Sequence, residues 1–571
     1  MTTRAWKIKE NGQSEDIRKL AEELGVNPVI ATLLVQRDIT TFEQAKAFFR
    51  PELSMLYDPF LMNDMEKAVE RLQTAIRGGE KILVYGDYDV DGTTSVSMMY
   101  SFISSFHQKV DYYIPDRYSE GYGISFKGID YAIENEITLI IALDCGIKAN
   151  DKVDYANEHR VDLIICDHHT PGDQLPAALA ILNPERHDSE YPFKDLSGCG
   201  VGFKLIQAFA QRNDIAFEKV LEFIDLVAVS IASDIVPLVD ENRILAHYGL
   251  KKLNSNPSVG LKAIITVAGL EGKEITIDDI VFKIGPRINA AGRIESGNQA
   301  VELLISKKHP EAALLCEKIN SHNQTRRNID KIITEEALRE IAGADKYKYS
   351  TVLYNPGWHK GVVGIVASRV IENYYRPTVI LTESNGHATG SARSIPGFDL
   401  YKAITECSDL LESYGGHMYA AGITLKTENV QRFRDRFEEA VRNTILPELL
   451  IPQVEIDAEL NFKDITPKFF RVLKQFEPFG PENTNPVFFA ENVSDNGYAR
   501  LVGTGEDHIQ LGLIQEEQPF HVFRAIAFNQ ASHLNRIKKG ASFDIAYTLF
   551  ENNFRGTSSI QLNIKDIKIE N

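Results

Sequence analysis

The sequence predicts an α/β protein built on a parallel sheet, followed by a smaller α/β region and a C-terminal β-rich region. Short apolar, β-branched runs alternate with amphipathic stretches between residues 81 and 167, as in a wound parallel sheet. The alternation resumes between 350 and 446, and strand-like runs with few helical signals follow 453. The chain has 571 residues, enough for about three domains.

The composition narrows the function classes. With 43% hydrophobic and 25% charged residues, the chain is typical of globular proteins. No apolar run approaches the ~20 residues of a membrane helix, so we expect no membrane association. The N-terminal MTTRAWKIKENGQ lacks the apolar core of a signal peptide, and the five cysteines form no CxxC pair. Sparse, unpaired cysteines indicate a reducing compartment, and we expect a cytoplasmic protein.

The net charge of −18 comes from 62 Lys and Arg against 80 Asp and Glu. This balance counts against a protein that coats nucleic acid non-specifically, because such proteins are normally basic. It is compatible with a nuclease, since bound divalent metals offset part of the acidity and a local basic groove is enough to hold a strand.

The N-terminal segment is predicted to be helical. IRKLAEELG and FEQAKAFF carry apolar residues at helical spacing, and Pro51 interrupts the pattern. We expect residues 1–75 to pack on the domain that follows, predicted to span 76–305.

Four runs in that domain predict strands that are covered on both faces, because they are almost wholly apolar. Amphipathic stretches such as 95–106 and 126–136 predict the helices between them. The four strand runs are KILVYGD (81–87), KVDYYI (109–114), TLIIALD (138–144) and VDLIICD (161–167).

The remaining chain predicts three further parts. Residues 205–275 are mainly helical, and the polar helical run that carries NSHNQTRRNIDK is either a connector or an ordinary exposed helix. We predict a connecting helix over 306–345 and a second α/β domain over 346–446. PELLIPQ then has the proline content of a linker, and residues 454–571 predict a small barrel or sandwich.

Acidic residues and histidines follow the predicted strands where they end. The carboxyl ends of parallel strands lie side by side, in the crevice where wound sheets bind ligands. We therefore expect these side chains to converge, together with an acid after the apolar run LVAVSIAS. They are Asp87, Asp89, Asp91, Asp144, Asp167, His168, His169 and Asp234.

Such a cluster predicts a divalent metal centre, because carboxylates in one site repel each other unless a cation or protons compensate. Asp and His without a required thiol favour Mn²⁺ or Mg²⁺, and two ions about 4 Å apart would hold a phosphate for in-line attack by water. Asp144, between the clusters, suits a bridging position. Taken singly, each piece has an ordinary alternative: a calcium loop, a helix cap or a loop acid. Cys145 and Cys166 are interpreted as small buried residues.

The order DYDVDG, ALDCG, CDHH and SIASDIVPL resembles the four motifs of the DHH phosphoesterases. Further segments narrow the resemblance to the bacterial RecJ exonucleases over almost the whole chain. They are PDRYSEGYG, LSGCGVGFK, GPRINAAGRI, WHKGVVGIVASR, GSARS, GGHMYAAG and PFGPENTNPVF.

The resemblance implies a 5′→3′ exonuclease on single-stranded DNA in recombination and repair. It implies a DHH catalytic domain, a connecting helix, a DHHA1 substrate-binding domain and a C-terminal OB-fold, which serves either DNA or a protein partner. Candidate protein partners are a single-strand DNA-binding protein and a helicase, and we expect a monomer.

The resemblance also implies roles for the first metal site. Asp89 and Asp91 would be ligands of one Mn²⁺ or Mg²⁺ ion, and Asp144 would bridge to the second ion. Asp87 would complete the first site or support it through a ligand.

The second site would use His168 and Asp234 as ligands. Asp167 would orient a histidine. His169 would touch the scissile phosphate or stabilise its developing charge.

The substrate residues implied by the resemblance lie in the remaining motifs. PDRYSEGYG and GSARS would bind a terminal phosphate, GPRINAAGRI would contact the strand, two aromatic rings would stack on bases, and the glycines of GGHMYAAG would allow close backbone approach. Ordinary packing is the alternative for each. The residues are Arg117, Tyr122, Arg287, Asn289, Arg293, Trp358, His359, Ser391, Arg393, Gly415, Gly416 and His417.

Two other functions remain open at this point. One is a DHH enzyme that cleaves short oligonucleotides or cyclic dinucleotides, and the other is a metal-free binding protein that keeps the fold. The C-terminal β-rich region favours a long polymer substrate, and the intact acids and histidines favour an enzyme.

Overall fold

The computed structural model describes residues 4–343, 348–515, 518–554 and 557–569. Its strands are β1 (Ala5–Ile8), β2 (Ile82–Gly86), β3 (Val110–Tyr113), β4 (Leu139–Leu143), β5 (Asp162–Cys166), β6 (Ala180–Leu182), β7 (Thr351–Tyr354), β8 (Thr378–Ser384), β9 (His387–Arg393), β10 (Leu411–His417), β11 (Ala420–Lys426), β12 (Gln453–Ile456), β13 (Ala458–Glu459), β14 (Phe488–Asp495), β15 (Arg500–Val502), β16 (His508–Gln515), β17 (Gln518–Ala527), β18 (Phe543–Phe554) and β19 (Thr557–Lys568).

The helices follow the same chain order. They are α1 (Ser14–Leu24), α2 (Pro28–Val35), α3 (Phe42–Phe49), α4 (Met65–Gly78), α5 (Val90–Ser104), α6 (Phe126–Glu134), α7 (Asn150–Glu158), α8 (Gly198–Arg212), α9 (Phe217–Val220), α10 (Ile224–Asp234), α11 (Asp240–Ser255), α12 (Val259–Val267), α13 (Ile277–Asp279), α14 (Gly285–Ile294), α15 (Asn298–Leu304), α16 (His309–Ala342), α17 (Val363–Asn373), α18 (Leu400–Thr405), α19 (Val430–Thr444), α20 (Pro467–Lys474) and α21 (Leu534–Lys538).

The chain divides into two compact units. The large unit consists of Pro51–Thr444 and Gly480–Glu482. The small unit consists of Met1–Arg50, Ile445–Phe479 and Asn483–Asn571.

The expected single N-terminal segment over residues 1–75 is divided at Arg50, and only the part after it belongs to the large unit. The earlier part begins with a strand, β1, which pairs in parallel with β12. Its helices bury Leu20 and Ile30 in one core with Phe488 of the small unit. Packing of this part on the domain predicted to span 76–305 stays a prediction. An amphipathic helix shows which face is buried, but not which core covers it.

The N-terminal half of the large unit contains a five-stranded parallel sheet in the order β3-β2-β4-β5-β6. Apolar side chains on both faces of β2, β4 and β5 are buried under helices, as the apolar runs predict. The short strand β6 was not predicted. Because β2, β4 and β5 are neighbours, their carboxyl ends lie at one edge of the sheet.

The second half of the large unit contains a mixed sheet in the order β10-β11-β9-β8-β7. Strands β7 and β8 are parallel, and the other pairs are antiparallel. Helix α16 has 34 residues and precedes this sheet where a connecting helix was expected. The boundary predicted at residues 345 and 346 lies outside the described residues.

The small unit contains a barrel of five strands in the order β14-β18-β19-β17-β16, closed by antiparallel pairing of β14 with β16. Phe488, Tyr547 and Leu562 fill its interior. The predicted fold class, a parallel-sheet α/β domain, a smaller α/β domain and an OB-like barrel, is confirmed. Across the described ranges, every helix is too short or too polar to cross a membrane.

Candidate metal centre

Three neighbouring strands deliver acidic residues to one edge of the parallel sheet. Asp87 follows β2, Asp144 follows β4 and Asp167 follows β5, and both strand pairs are in register. Asp89 then caps α5, where its carboxylate accepts a hydrogen bond of 3.1 Å from the Gly92 amide. The positive end of the α5 dipole therefore lies among these acids.

Gly92 makes this turn possible. A Cβ atom at this position would lie 2.3 Å from the carbonyl oxygen of Asp87, so no larger residue fits. The glycine that ends DYDVDG thus allows Asp87, Asp89 and Asp91 to share one tight turn.

His168 lies at the centre of a cluster of carboxylates. Its Nε2 atom is 3.2 Å from Oδ1 of Asp144, 3.5 Å from Oδ2 of Asp234 and 3.7 Å from Oδ2 of Asp91. Asp91, His168 and Asp234 form one group whose donor atoms lie within 4.8 Å of one another, and Asp144, His168 and His169 form a second. The predicted residues thus converge, with Asp144 beside the shared histidine.

The remaining two acids of the turn do not belong to these groups of donor atoms. Asp87 is fully buried, and Asp89 is half-buried. Burial, and then the charge of Asp89, raise the pKa of Asp87 well above its ordinary value. Burial and the charge of Asp91 also raise the pKa of Asp89. The two side chains therefore share the electrostatic field of the cluster.

The cluster is electrostatically unbalanced without a cation. Burial raises the pKa values of Asp144 and Asp234 well above the ordinary range, and the negative charge of Asp91 raises both further. Burial lowers the pKa of His168, which favours the neutral imidazole that binds metals. The five acids Asp87, Asp89, Asp91, Asp144 and Asp234 thus lack matching positive charge.

Two buried atoms indicate where a cation would bind. Among the described residues, Oδ2 of Asp87 and Nε2 of His168 have no hydrogen-bond partner, although buried polar atoms are normally paired. All donors are carboxylate oxygens or imidazole nitrogens, the set that suits Mn²⁺ and Mg²⁺. The residues therefore fit divalent cations.

Asp91 is held by residues that the sequence analysis did not identify. The amides of Gly198 and Cys199, in the first turn of α8, donate to its carboxylate at 2.7 and 2.8 Å. The Ser230 hydroxyl lies 2.7 Å from its Oδ1. A Cβ atom at Gly198 would lie 2.6 Å from Cβ of Asp144. The motif LSGCGVGFK thus brings a helix N-terminus against the acids, a role for which its glycines were the only signal.

Asp167 orients the second histidine. Its Oδ1 atom accepts the Nδ1 hydrogen of His169 at 2.7 Å and the amide of His168 at 2.8 Å, and its Oδ2 accepts the amide of Ile147 at 2.9 Å. Burial opposes ionisation of Asp167, but the hydrogen bond from His169 and the charges of both histidines lower its pKa overall. This carboxylate is thus an orienting group rather than a member of either donor group.

A group of arginines lies near the metal centre. Nη1 of Arg293 donates to the carbonyl of Gly361 at 2.8 Å. Burial, and then the charges of Arg117, Arg326 and Arg393, lower the pKa of Arg293 to about 9. Mutual repulsion among half-buried guanidinium groups is relieved by an anion. This cluster is a local positive region of the kind expected for a nuclease whose net charge is −18.

Ser391 and Arg393 lie on β9, where Gly364 of α17 leaves room for them. A Cβ atom at Gly364 would lie 2.9 Å from Nη2 of Arg393 and 3.2 Å from Oγ of Ser391. Arg117 places its guanidinium carbon 4.9 Å from the ring centroid of Tyr88. Two of the predicted phosphate-binding residues, Arg117 and Arg393, thus belong to the arginine group, and Ser391 lies on the same strand as Arg393. Gly364 is a further residue that sequence reasoning missed.

Arg287 of GPRINAAGRI contacts α16. Nε of Arg287 donates to Oδ1 of Asn320 at 3.1 Å, and its Nη1 donates to the carbonyl of Lys283 at 2.6 Å. Asn289 is half-buried. These contacts hold Arg287 against the long helix, and its role toward a strand stays a prediction.

Trp358 is not placed to stack on a base. Its side chain is 5% exposed and packs in a core with Ile333 and Val363, and its Nε1 donates to Glu336 at 2.9 Å. An indole enclosed on both faces offers no surface to a ligand, so the prediction of base stacking is wrong for this residue. The adjacent His359 is half-buried, and its Nδ1 accepts the amide of Gly361 at 3.1 Å.

The hairpin of β10 and β11 carries the glycines of GGHMYAAG. Gly416 has φ +147°, and a Cβ atom there would lie 2.3 Å from the carbonyl oxygen of Ala420, whereas Gly415 has open space around it. His417 is exposed and accepts the amide of Tyr419 at 3.3 Å. Burial of part of its ring, and then the charges of Arg393 and His169, lower the pKa of His417. The hairpin tip is therefore near Arg393 and His169.

Acids and histidines at adjoining ends of a parallel sheet, with a second α/β domain beyond a long helix, define a phosphoesterase of the DHH class. Residues 81–231 match the DHH family, N-terminal domain, and residues 344–443 match the DHHA1 domain. Residues 456–566 match the RecJ OB domain. The chain belongs to the RecJ family.

Relatives with this family name cover most of the chain. The chain is 37% identical to the single-stranded-DNA-specific exonuclease RecJ of Bacillus subtilis, over 99% of this chain and 71% of that protein. It is 34% identical to the Escherichia coli protein of the same name, over 89% and 90% of the two chains. The crystal structure of Thermus thermophilus RecJ in complex with Mn²⁺ matches with a TM-score of 0.85 and 27% identity, over 99% of this chain and 79% of that one.

Proposed function

We propose that this chain is a single-strand-specific 5′→3′ DNA exonuclease that hydrolyses phosphodiester bonds with two divalent ions, Mn²⁺ or Mg²⁺, in DNA recombination and repair. The observation that carries the proposal is the convergence of Asp91, Asp144, Asp234 and His168 within reach of shared cations. Family membership and the neighbouring arginine group support the substrate class.

The metal centre has a distinct division of roles. A bound pair of divalent cations supplies positive charge for the phosphate and lowers the pKa of water. Asp91, His168 and Asp234 would hold the cations together with Asp144, and Asp87 and Asp89 would complete the acidic crevice. Asp91 itself is fixed by two amides and a hydroxyl, which keeps its carboxylate oriented.

The second histidine acts on the substrate rather than on a cation. Asp167 holds Nδ1 of His169. The other ring nitrogen, Nε2, therefore points away from Asp167. We propose that His169 stabilises charge that develops on the scissile phosphate.

A 5′-exonuclease also needs to recognise a chain end. A terminal phosphate is a dianion, which arginine forks bind with two parallel hydrogen bonds. Arg117, Arg293, Arg393 and Ser391 are the residues that we propose for it. The half-buried setting of Arg393 and the repulsion within the group favour binding of such an anion.

A time course on single strands labelled at either end tests the proposal. With Mn²⁺ or Mg²⁺, the 5′ label should appear first as a mononucleotide, and chelator should abolish release. A blunt duplex and a linear dinucleotide serve as competing substrates. Early release of the 3′ label, or faster cleavage of the dinucleotide than of the long strand, would contradict the proposal.

A cellular location and an assembly state are proposed as well. Five cysteines are buried and unpaired, in keeping with a reducing compartment, and we propose a cytoplasmic location. A monomer, with a single-strand DNA-binding protein and a helicase as partners, stays a prediction that light scattering and pull-down with those two proteins test.

A further inference from the structure

Tyr122 makes a contact that base stacking does not require. Its hydroxyl lies 3.0 Å from Nε2 of His169 and 3.4 Å from the carbonyl oxygen of Asp144. Nδ1 of the same histidine lies 2.7 Å from Oδ1 of Asp167. Both ring nitrogens of His169 therefore have partners, one on each side of the ring.

The hydrogen bonds along this chain hold in either charge state of His169. The Asp167 carboxylate receives three amide hydrogens besides the imidazole, so it acts as an acceptor and Nδ1 of His169 carries the proton. In the neutral ring Nε2 then accepts the hydrogen of the Tyr122 hydroxyl, and in the protonated ring Nε2 donates to the hydroxyl oxygen. Of the two contacts of the Tyr122 hydroxyl, the one to Nε2 is the shorter.

The backbone around Tyr122 is built for this position. Gly121 and Gly123, on either side, have φ +89° and +80°, a conformation that side chains other than glycine rarely adopt. Glu120 fastens the loop, since its carboxylate accepts the Asp116 amide at 2.9 Å and the Ser125 hydroxyl at 2.6 Å. The hydroxyl thus approaches His169 from an anchored loop.

We propose that Tyr122 is a positioning residue that holds the His169 imidazole, through Nε2, in the orientation required for phosphodiester hydrolysis. The inference rests on the proposed function of His169 toward the scissile phosphate. The side chain of His169 is 44% exposed, so packing alone leaves the ring free to tilt about its Asp167 contact. Two hydrogen bonds, one at each nitrogen, remove that freedom.

Two substitutions separate positioning from stacking. Tyr122→Phe keeps the ring and removes the hydroxyl, so it should lower kcat on single-stranded DNA by about 10–100-fold and leave KM unchanged. Tyr122→Leu removes the ring as well, and any added rise in KM reports stacking. Tyr155→Phe, which removes a hydroxyl bound to Asp130 on the surface, is the matched control and should keep wild-type kcat. Wild-type kcat in Tyr122→Phe would overturn the inference.

A double-mutant cycle tests whether Tyr122 acts through His169. In a His169→Ala background, Tyr122→Phe should cause no further loss of kcat, because the group it positions is absent. The same fold-loss in both backgrounds would overturn the inference, since the hydroxyl would then act elsewhere.

A measurement without turnover separates this inference from the proposed function. In metal-free protein labelled with ¹⁵N-histidine, Tyr122→Phe should move the Nε2 resonance of His169, which is assigned as the signal missing from His169→Gln. Tyr155→Phe should leave it in place. An unmoved signal in Tyr122→Phe would refute the contact, whereas a wild-type enzyme that fails to degrade DNA would refute the proposed function alone.

Discussion

At the scale of single residues, Asp144 has both a functional charge and an unusual backbone. Its carboxylate is buried beside Asp91 and His168, and its φ is +58°, a region where Asp and Asn are tolerated best. The residue thus turns sharply at the end of β4 and presents its side chain to the crevice. Asparagine should keep this backbone and remove only the charge.

We therefore expect Asp144→Asn to lower kcat by about 10³-fold or more, since bridging charge between cations is worth several kcal/mol. Its melting temperature in chelator should not fall, because the substitution removes one of several repelling carboxylates. Nuclease assays and circular dichroism check the two outcomes. Asp144→Ala should lose as much activity. Near-normal turnover in either variant would refute the role between the cations.

Ile235, directly after Asp234, is a residue whose backbone costs stability. It has φ +62° at the C-terminus of α10, and its side chain is 63% exposed. A left-handed conformation costs a side chain with a Cβ atom roughly 1–2 kcal/mol, and little packing offsets it here. Glycine normally takes this position at a helix end.

Ile235→Gly should accordingly raise the free energy of unfolding by about 0.5–1 kcal/mol, after the greater flexibility of glycine in the unfolded chain is subtracted. Urea denaturation followed by circular dichroism measures the change. Ile235→Ala keeps the Cβ atom and should give no gain. Equal midpoints for Gly and wild type would mean that the turn is not strained.

At the scale of elements, the strands that carry the centre were predictable because their signal is local. Runs of apolar, β-branched residues specify β2, β4 and β5, and their acids follow directly in sequence. Strand β6 is three residues long, too short for a periodic pattern to stand out. Trp358 shows the same limit for side chains, because the sequence alone does not tell whether an aromatic residue lies in a core or on a surface.

The supports of the centre were not predictable, because they connect distant segments. The amides of Gly198 and Cys199 reach Asp91 from more than a hundred residues away, and Gly364 meets Arg393 only after α17 has packed against β9. Such contacts leave no periodicity in either segment. The sequence indicated these positions only as glycines inside unexplained motifs.

Helix α19 is joined to the start of the second sheet by one carboxylate. Glu438 accepts the amides of Lys348, Tyr349 and Ser350 at 2.8–3.0 Å, and also the Ser350 hydroxyl. Four donors on one anion hold the residues before β7 in place. The connection is local to the DHHA1 domain and does not touch the metal centre.

Glu438→Ala should therefore destabilise this domain by about 1.5–3 kcal/mol, the range for hydrogen bonds to a charged group. Hydrogen exchange of the Tyr349 and Ser350 amides, measured by mass spectrometry, should accelerate as the domain is destabilised. Glu439→Ala, on the exposed side of the same helix, is the control and should change neither. Unaltered exchange in Glu438→Ala would contradict the role of this carboxylate.

At the scale of the whole molecule, each compact unit has its own hydrophobic core. One core extends from Met62 to Ile319 in the large unit, and another joins Leu20 to Ile567 in the small unit. The N-terminal helices belong to the second core. Sequence periodicity alone could not decide which core they join. The metal centre lies wholly within the large unit.

Unfolding should therefore occur in two calorimetric transitions, of which only one responds to metal. A ligand that binds the folded state at 100 times its dissociation constant stabilises it by about 2.7 kcal/mol, so Mn²⁺ should raise the midpoint of the large unit and leave that of the small unit unchanged. Chelator should reverse the shift, and Asp144→Asn should reduce it while keeping both transitions. A Mn²⁺-dependent shift of both midpoints together would show instead that the two units unfold as one, because metal bound to the large unit stabilises only what unfolds with it.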